Sequence, residues 1–222
     1  MTEEPASASA ARLPYVQAEV GPPAARVVNP ANGLTVLRLL LVPVFLVLLL
    51  TDDGQTLRWR LVAAAVFGIA SATDRVDGQL ARSRGMITPF GQIADPIADK
   101  ALTGAAFIGL SLLDELAWWI TALVIVREIG VTMLRFVVIR HGIIPASRGG
   151  KLKTVLQGIA IALYVLPFTG ALATARTVVM VAAVAVTVVT GADYVARAMK
   201  LRRTSPRAEM KRRRRAHYDR TG

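Results

Sequence analysis

Four aspartates in the middle of the chain have the spacing that most clearly suggests chemistry. Asp74 and Asp77 lie three residues apart, and Asp95 and Asp99 lie four apart, so the members of each pair share one face of a continuous helix. The connection at residues 78–94 can bring the two faces together. Four carboxylates that face one another cannot all stay ionised without cations between them. The pattern therefore predicts a site for two hard divalent cations with oxygen ligands.

Glycine and arginine residues between the two pairs extend this pattern. Gly78 follows the first pair and Gly91 precedes the second, and glycine lets a backbone approach a ligand or a neighbouring helix closely. Arg82 lies one turn beyond Gly78, where its fork of donors can reach a phosphate. Metal ions and an arginine together favour phosphoryl transfer, in which charge on the transferred group must be neutralised. A cation pathway or a proton relay in a small transporter is the alternative interpretation of the acidic cluster.

The elements that must position these residues are membrane-spanning helices. The chain of 222 residues is 54% hydrophobic and only 19% charged, and its apolar residues form long runs, which excludes an ordinary soluble globule. It contains no cysteine and only two histidines, so neither a thiolate site nor a histidine-cluster metal site is expected. We predict an all-α integral membrane protein with six transmembrane helices at about 30–50, 57–74, 95–113, 116–139, 154–172 and 177–196.

Lysine and arginine residues in the short loops predict the orientation of these helices. The loop after the second helix and the loop after the fourth are basic, and the C-terminal segment carries much of the formal net charge of +12. Both termini and the aspartate pairs are therefore expected on the cytosolic side. We predict a disordered cytosolic segment at 1–28, a six-helix transmembrane catalytic domain at 29–200 and a basic cytosolic tail at 201–222. The tail suits anionic lipid and, having no aromatic platform beyond Tyr218, does not indicate nucleic-acid binding.

A longer motif contains the aspartates: Asp74-x-x-Asp77-Gly78-x-x-Ala81-Arg82, then, after eight residues, Gly91-x-x-x-Asp95-x-x-x-Asp99. It resembles the complete signature of the CDP-alcohol phosphotransferase family. Flanking segments are similar to the branch of that family that uses glycerol 3-phosphate, among them Asn32-x-Leu34-Thr35-x-x-Arg38, Asp95-Pro96-x-Ala98-Asp99-Lys100, Arg127-Glu128 and Gly150-Lys151-x-Lys153-Thr154-x-x-Gln157. The resemblance covers residues 32–157 and agrees with the six-helix plan.

The resemblance implies the CDP-alcohol phosphotransferase fold and transfer of a phosphatidyl group from CDP-diacylglycerol to sn-glycerol 3-phosphate, with release of CMP. It implies a general base at Asp99 and a homodimer in a bacterial plasma membrane. It also implies two Mg²⁺ or Mn²⁺ ions on Asp74, Asp77, Asp95 and Asp99, and donor binding by Asp74, Gly78, Ala81 and Arg82. An inositol phosphate or phosphatidylglycerol acceptor is the alternative within the family.

Basic residues near the fourth helix are the candidates for binding the acceptor's phosphate. A phosphate monoester carries close to two negative charges at neutral pH, so it needs several cationic donors. The five candidates are Arg127, Arg135, Arg148, Lys151 and Lys153. Two alternatives stay open: Glu128 pairs with one of the arginines, or the loop residues are topology signals only. Lys100 could bind substrate, pair with Asp99 or anchor at the membrane interface.

Overall fold

Six α-helices make up the described part of the chain. The computed structural model describes residues 29–83, 88–138 and 148–204, without the side chains of residues 75, 77, 78, 80–82, 92, 138, 148 and 202–204. The predicted N-terminal segment and most of the predicted basic tail lie outside these ranges. No strand occurs within them, which confirms the all-α class. The helices are α1 (Pro30–Leu50), α2 (Leu57–Ser83), α3 (Pro89–Leu112), α4 (Trp118–Val138), α5 (Arg148–Val165) and α6 (Ala171–Thr204), and a 3₁₀ turn at Thr51–Gly54 follows α1.

The helices differ from the predicted ones mainly at their polar ends. α1 has the predicted bounds, whereas α2 continues past residue 74, α3 begins before residue 95, α5 begins and ends earlier than predicted, and α6 is longer at both ends. Hydropathy detects the apolar centre of a helix, but backbone hydrogen bonding continues through polar residues. At the start of α3, the Thr88 hydroxyl caps the helix by accepting a hydrogen bond from the Gly91 backbone N–H at 3.0 Å. The carboxylates at 74, 95 and 99 therefore lie inside helices.

Two of the described helices have the length and composition of membrane spans. They are the segments Pro30–Gly54 and Ala171–Leu201. Each of the other four helices contains three or more charged residues, which interrupt the apolar stretch of a typical span. Their outer surfaces still carry large apolar side chains, such as Ile93 at 67% and Val126 at 69% exposure. The number of six spans and the side on which the termini lie stay predictions.

The apolar core lies where α1, α2 and α3 meet α5 and α6. Phe45 and Phe67 pack against each other with ring centroids 5.6 Å apart, and Phe107 is fully buried beside them. α1 and α3 approach closely at Gly109, because a Cβ there would lie only 2.8 Å from Leu49 Cδ2. Close packing of this kind fixes the helices relative to one another, and with them the polar residues at their ends.

A cluster of three charged residues, Arg60, Glu115 and Arg176, joins the helices at one end of the molecule; we call it the far-end clasp. Arg60 is buried and donates through Nε to the Gly54 carbonyl at 2.7 Å and through Nη1 to the Tyr164 carbonyl at 3.2 Å. Its Nη2 binds Glu115 Oε1 at 2.9 Å, and Arg176 Nη2 binds Glu115 Oε2 at 2.9 Å. The clasp therefore ties together the ends of α2, α5 and α6, the turn after α1 and the turn between α3 and α4.

Consecutive helices run in opposite directions, so the two ends of the bundle contain different sets of helix termini. The clasp end holds the C-terminal ends of α1, α3 and α5 and the N-terminal ends of α2 and α6. The opposite end holds the N-terminal halves of α1, α3 and α5 and the C-terminal half of α2. All four aspartates of the sequence motif belong to helix segments at this opposite end.

Candidate active site

Polar residues on one face of α1 hold two of the aspartates. Arg38 is fully buried, and its Nη1 lies 2.7 Å from Asp74 Oδ1. The Thr35 hydroxyl donates to Asp95 Oδ1 at 2.5 Å. Thr35 and Arg38 are three residues apart and share a face of the helix. α1 is thus the common support for a carboxylate of α2 and a carboxylate of α3.

The N-terminal ends of α1 and α3 come together because of a glycine. Asn32 Nδ2 lies 2.9 Å from the Thr88 hydroxyl, and both side chains are buried. A Cβ at Gly91 would lie 2.8 Å from Asn32 Oδ1, so a larger residue would push the two helices apart. This close approach places the first turns of α3, with Asp95 and Asp99, beside α1 and the end of α2, as the glycine in the sequence motif suggested.

A cavity of about 750 Å³ opens at this end of the bundle. Asp74 and Asp99 form part of its wall together with Arg38. Other polar residues line the same cavity, among them Lys100, Glu128, Lys153 and Gln157. The remaining wall is largely apolar, with Phe67 and Val124 among its members. One cavity therefore presents carboxylates from α2 and α3 and ammonium groups from α3 and α5.

Glu128 is the centre of a charged cluster on one side of this cavity. Its Oε1 accepts hydrogen bonds from Lys153 Nζ and from Arg127 Nη1, the latter at 2.9 Å. Its Oε2 lies 3.7 Å from Lys100 Nζ. A single carboxylate thereby contacts cations from α3, α4 and α5, and the four groups together carry a formal charge of +2. Lys153 and Gln157 are both buried, and Gln157 Nε2 donates to the Thr187 hydroxyl of α6 at 3.1 Å.

Arg127 connects this cluster to α6. Its Nε donates to the Thr187 carbonyl at 3.2 Å, and its Nη2 donates to the Thr190 hydroxyl at 2.9 Å. α6 has a glycine where the arginine passes, since a Cβ at Gly191 would lie 3.2 Å from Arg127 Cγ and 3.3 Å from its Nε. All three guanidinium nitrogens thus have protein partners, and Arg127 is not among the residues that line the cavity.

Comparison with known proteins places this arrangement in a family. The profile of the CDP-alcohol phosphatidyltransferase family matches residues 28–189. The chain belongs to that family.

Relatives in the CDP-alcohol phosphatidyltransferase family are similar over most of their length. A protein of Mycobacterium tuberculosis (strain H37Rv) named "Probable phosphatidylglycerophosphate synthase" is 57% identical over 176 residues, which cover 79% of this chain and 84% of the relative. The "CDP-diacylglycerol--glycerol-3-phosphate 3-phosphatidyltransferase" of Bacillus subtilis (strain 168) is 35% identical over 190 residues, covering 80% of this chain and 98% of that protein. The Rickettsia typhi protein of the same name is 34% identical over 171 residues, covering 75% and 94%.

The residues predicted to bind the donor and the metal ions fall into three groups according to their position relative to the cavity. Asp74 and Asp99 line the cavity, whereas Asp95 is partly buried against Thr35 and is not among the lining residues. The other predicted residues of the motif, Asp77, Gly78, Ala81 and Arg82, lie in α2, and their side chains fall outside the described set. Among the described residues no three acidic or histidine side chains form a group that could hold a metal ion.

The five residues predicted to bind the acceptor's phosphate also lie in different surroundings. Lys153 is buried on the cavity wall, whereas Lys151, two residues earlier on α5, is exposed. Arg135 is exposed on the last turn of α4, and Arg148 begins α5 with a side chain that is not described. Arg127 lies next to the cluster but points its donors at α6 and Glu128. Of the four predicted acceptor residues whose side chains are described, Lys153 alone lines the cavity.

The sequence interpretation gave no definite role to several polar residues of the cavity wall, among them Arg38, Lys100, Glu128 and Gln157. Each belongs to a segment that carried the family resemblance, but the segment did not indicate what the side chain contacts. A charged residue inside an apolar helix was the available signal, because such residues rarely face lipid without a function. Arg38, with apolar neighbours on both sides in α1, is the clearest example.

Proposed function

We propose that this protein transfers the phosphatidyl group of CDP-diacylglycerol to sn-glycerol 3-phosphate and releases CMP. The observation that carries the proposal is the single cavity in which Asp74 and Asp99 occur together with Lys100 and Lys153. Carboxylates suit the cations that accompany a pyrophosphate donor, and ammonium groups suit an anionic acceptor. The names of relatives that are similar over most of their length agree with this pair of substrates.

The aspartate side of the cavity is proposed to bind the donor. Carboxylate oxygens are the ligands that Mg²⁺ and Mn²⁺ prefer, and the contact of Arg38 with Asp74 indicates that a cation is favourable there. Two such ions on Asp74, Asp77, Asp95 and Asp99 would neutralise the charge of the pyrophosphate. The predicted CDP-binding residues Gly78, Ala81 and Arg82 follow on the next turns of α2.

The ammonium groups on the other side of the cavity are proposed to bind the acceptor's phosphate. Lys153 and Lys100 line the cavity and contact Glu128. An ammonium group has three N–H donors, so each lysine can keep Glu128 and still donate to a phosphate. We propose that the exposed Arg135 and Lys151, and Arg148 at the start of α5, attract the anion towards the cavity from a longer distance.

The reaction is proposed to be an in-line displacement at the phosphorus that carries the diacylglycerol. The acceptor's hydroxyl oxygen forms the new bond to phosphorus, and the bond from phosphorus to the CMP oxygen breaks. Asp99 is the proposed general base that takes the hydroxyl proton, since it is the aspartate on α3 that lines the cavity beside Lys100. Lys100 and Lys153 hold the acceptor's phosphate away from the donor's phosphates, which leaves the hydroxyl end free to reach phosphorus.

The protein is proposed to lie in a bacterial plasma membrane with six spans, cytosolic termini and the cavity on the cytosolic side. The alternating helix directions allow this topology, and the apolar outer surfaces of α1, α4 and α6 suit lipid contact. A soluble anionic acceptor then meets a lipid donor where α2 becomes polar, at Asp74. The homodimer implied by the resemblance is retained as part of the proposal.

The acceptor is the part of the proposal that a direct experiment decides. An inositol phosphate would satisfy the same two lysines, whereas phosphatidylglycerol carries one negative charge and needs fewer cations. The purified protein in lipid nanodiscs should receive CDP-diacylglycerol, Mg²⁺ and equal amounts of glycerol 3-phosphate and inositol phosphate, and the product lipid should be identified by mass. Phosphatidylglycerophosphate is the expected product. A phosphatidylinositol phosphate, or equal amounts of both lipids, would overturn the assignment. Family membership favours this enzyme activity over the ion or proton transporter.

A further inference from the structure

Glu128 makes contacts that a simple phosphate pocket does not require. A carboxylate beside an anion-binding site repels the anion, and Coulomb's law makes that repulsion appreciable over a few ångströms in a partly buried site. Glu128 nevertheless lines the cavity and contacts Lys100 of α3 and Lys153 of α5. Its side chain is only 16% exposed. A negative group at this place therefore needs an explanation beyond the binding of an anion.

The explanation lies in how the two lysines are held. Lysine has a flexible four-carbon stem and a mobile point charge, and Lys100 and Lys153 come from different helices. Without the carboxylate, these two ammonium groups and the Arg127 guanidinium would repel one another across the same space. Glu128 allows them to share one side of the cavity, and Arg127 fixes Glu128 through its own hydrogen bonds to the Thr187 carbonyl and the Thr190 hydroxyl.

We propose that Glu128 is a positioning residue that holds Lys100 and Lys153 together, so that their two ammonium groups form the binding site for the acceptor's phosphate. Arg127 anchors Glu128 to α6. The inference rests on the proposed function and deepens it. Arg127, predicted from sequence as a phosphate ligand, acts in this proposal through Glu128 and does not touch the phosphate. The net charge of +2 of the four groups matches the charge of nearly −2 on a phosphate monoester.

The sign of one kinetic change tests the proposal. If Glu128 merely stood near the phosphate, Glu128→Gln would remove a repulsion and lower the KM for glycerol 3-phosphate. If Glu128 positions the lysines, the same change raises that KM, because the ammonium groups separate and the phosphate loses charge-assisted hydrogen bonds. We expect a rise of roughly tenfold or more, the factor that corresponds to one such bond. The KM for CDP-diacylglycerol should change less than about twofold, since uniform loss of acceptor binding leaves donor binding intact.

A matched control separates positioning from general destabilisation. Glu115 of the far-end clasp also accepts ion pairs from two cations, but it lies at the opposite end of the bundle. Glu115→Gln should therefore lower the melting temperature without changing the KM for glycerol 3-phosphate. Glu128→Asp keeps the charge on a shorter stem, so its KM should fall between those of the wild type and Glu128→Gln. Thr190→Val removes one anchor of Arg127 and should raise the same KM by a smaller factor.

The measurement uses the full-length protein in nanodiscs, with each substrate varied at saturation of the other. A rise in the glycerol 3-phosphate KM of Glu128→Gln, with partial recovery in Glu128→Asp, supports the positioning role. An unchanged or lower KM, or equal rises in Glu128→Gln and Glu115→Gln, overturns it. If the wild-type protein forms no phosphatidylglycerophosphate at all, the proposed function is wrong and this inference fails with it. If the wild type is active and Glu128→Gln leaves the KM for glycerol 3-phosphate unchanged, only the inference is refuted.

Discussion

Two lysines on the first turns of α5 provide a controlled test of the acceptor site. Lys151 and Lys153 are two residues apart, and a helix rotates about 100° per residue, so their side chains point about 160° apart. Lys153 is 6% exposed and lines the cavity, whereas Lys151 is exposed to the surroundings. The same substitution at both positions removes the same charge and the same stem from the same helix. The two positions differ in that Lys153 lies in the cavity against Glu128, whereas Lys151 does not.

We expect Lys153→Ala to weaken binding of glycerol 3-phosphate strongly. The variant loses a hydrogen bond between a charged donor and a charged acceptor in a partly buried site, which contributes about 1.5–3 kcal/mol. At 1.4 kcal/mol per factor of ten, this corresponds to a rise in KM of roughly 10- to 150-fold. Lys151→Ala removes only a solvent-screened charge, worth about 0–1 kcal/mol, and should raise the KM by no more than a few-fold.

The assay measures formation of phosphatidylglycerophosphate from labelled glycerol 3-phosphate in nanodiscs, with CDP-diacylglycerol saturating. A second series varies CDP-diacylglycerol, whose KM should stay within about twofold of the wild type for both variants. Melting temperatures of the two variants show whether either substitution disturbs the fold. Equal effects of Lys151→Ala and Lys153→Ala on the acceptor KM would refute the placement of the phosphate. So would an effect of Lys153→Ala that falls mainly on the CDP-diacylglycerol KM.

Three further predictions concern stability, metal and the tail. Glu115→Gln should lower the free energy of unfolding by about 2 kcal/mol, because it leaves two clasp arginines without their carboxylate; a thermal melt that matches the wild type would contradict this. Removal of divalent cations with EDTA should abolish turnover, and addition of Mg²⁺ should restore it. The Asp99→Asn variant should stay inactive when Mg²⁺ is added. Activity of this variant in Mg²⁺ would exclude a base at this position. Deletion of residues 205–222 should weaken binding to anionic vesicles by about 1 kcal/mol per basic residue near the surface, in a salt-dependent manner, with turnover retained; loss of catalysis in a correctly inserted truncation would place the domain boundary elsewhere.

The sequence was sufficient for the features that depend on local pattern and composition. Long apolar runs predicted an all-α protein and gave the bounds of α1 correctly. Asp193 and Arg197 lie four residues apart, a spacing that suits an ion pair on one helix, and the structure contains that pair with an N–O distance of 2.9 Å. Gly91 was predicted to permit a close approach, and a Cβ at that position would lie only 2.8 Å from Asn32 Oδ1. Spacing along one helix, or the absence of a side chain, decides each of these features.

The sequence was weaker where a helix continues through charged residues. α2 and α3 extend beyond their predicted ends because hydropathy falls at Asp74 and before Asp95, although the backbone hydrogen bonds do not stop there. The lysines of α5 were assigned to a loop for the same reason. Since the residues that carry the chemistry are the charged ones at helix ends, the errors in the boundaries concentrate at the candidate site.

What the sequence by itself determined is the set of aspartates, the family and the all-helical class, because these follow from residue types at fixed spacing. Only the tertiary structure decided which basic residue faces the cavity. It also decided that Arg38 and Thr35 of α1 contact Asp74 and Asp95, and that Glu128 contacts both Lys100 and Lys153. These contacts join residues that are 25 to 60 positions apart in the chain. Helical periodicity says which residues share a face of one helix, but the packing of glycine against side chain at Gly91, Gly109 and Gly191 determines which faces of different helices meet.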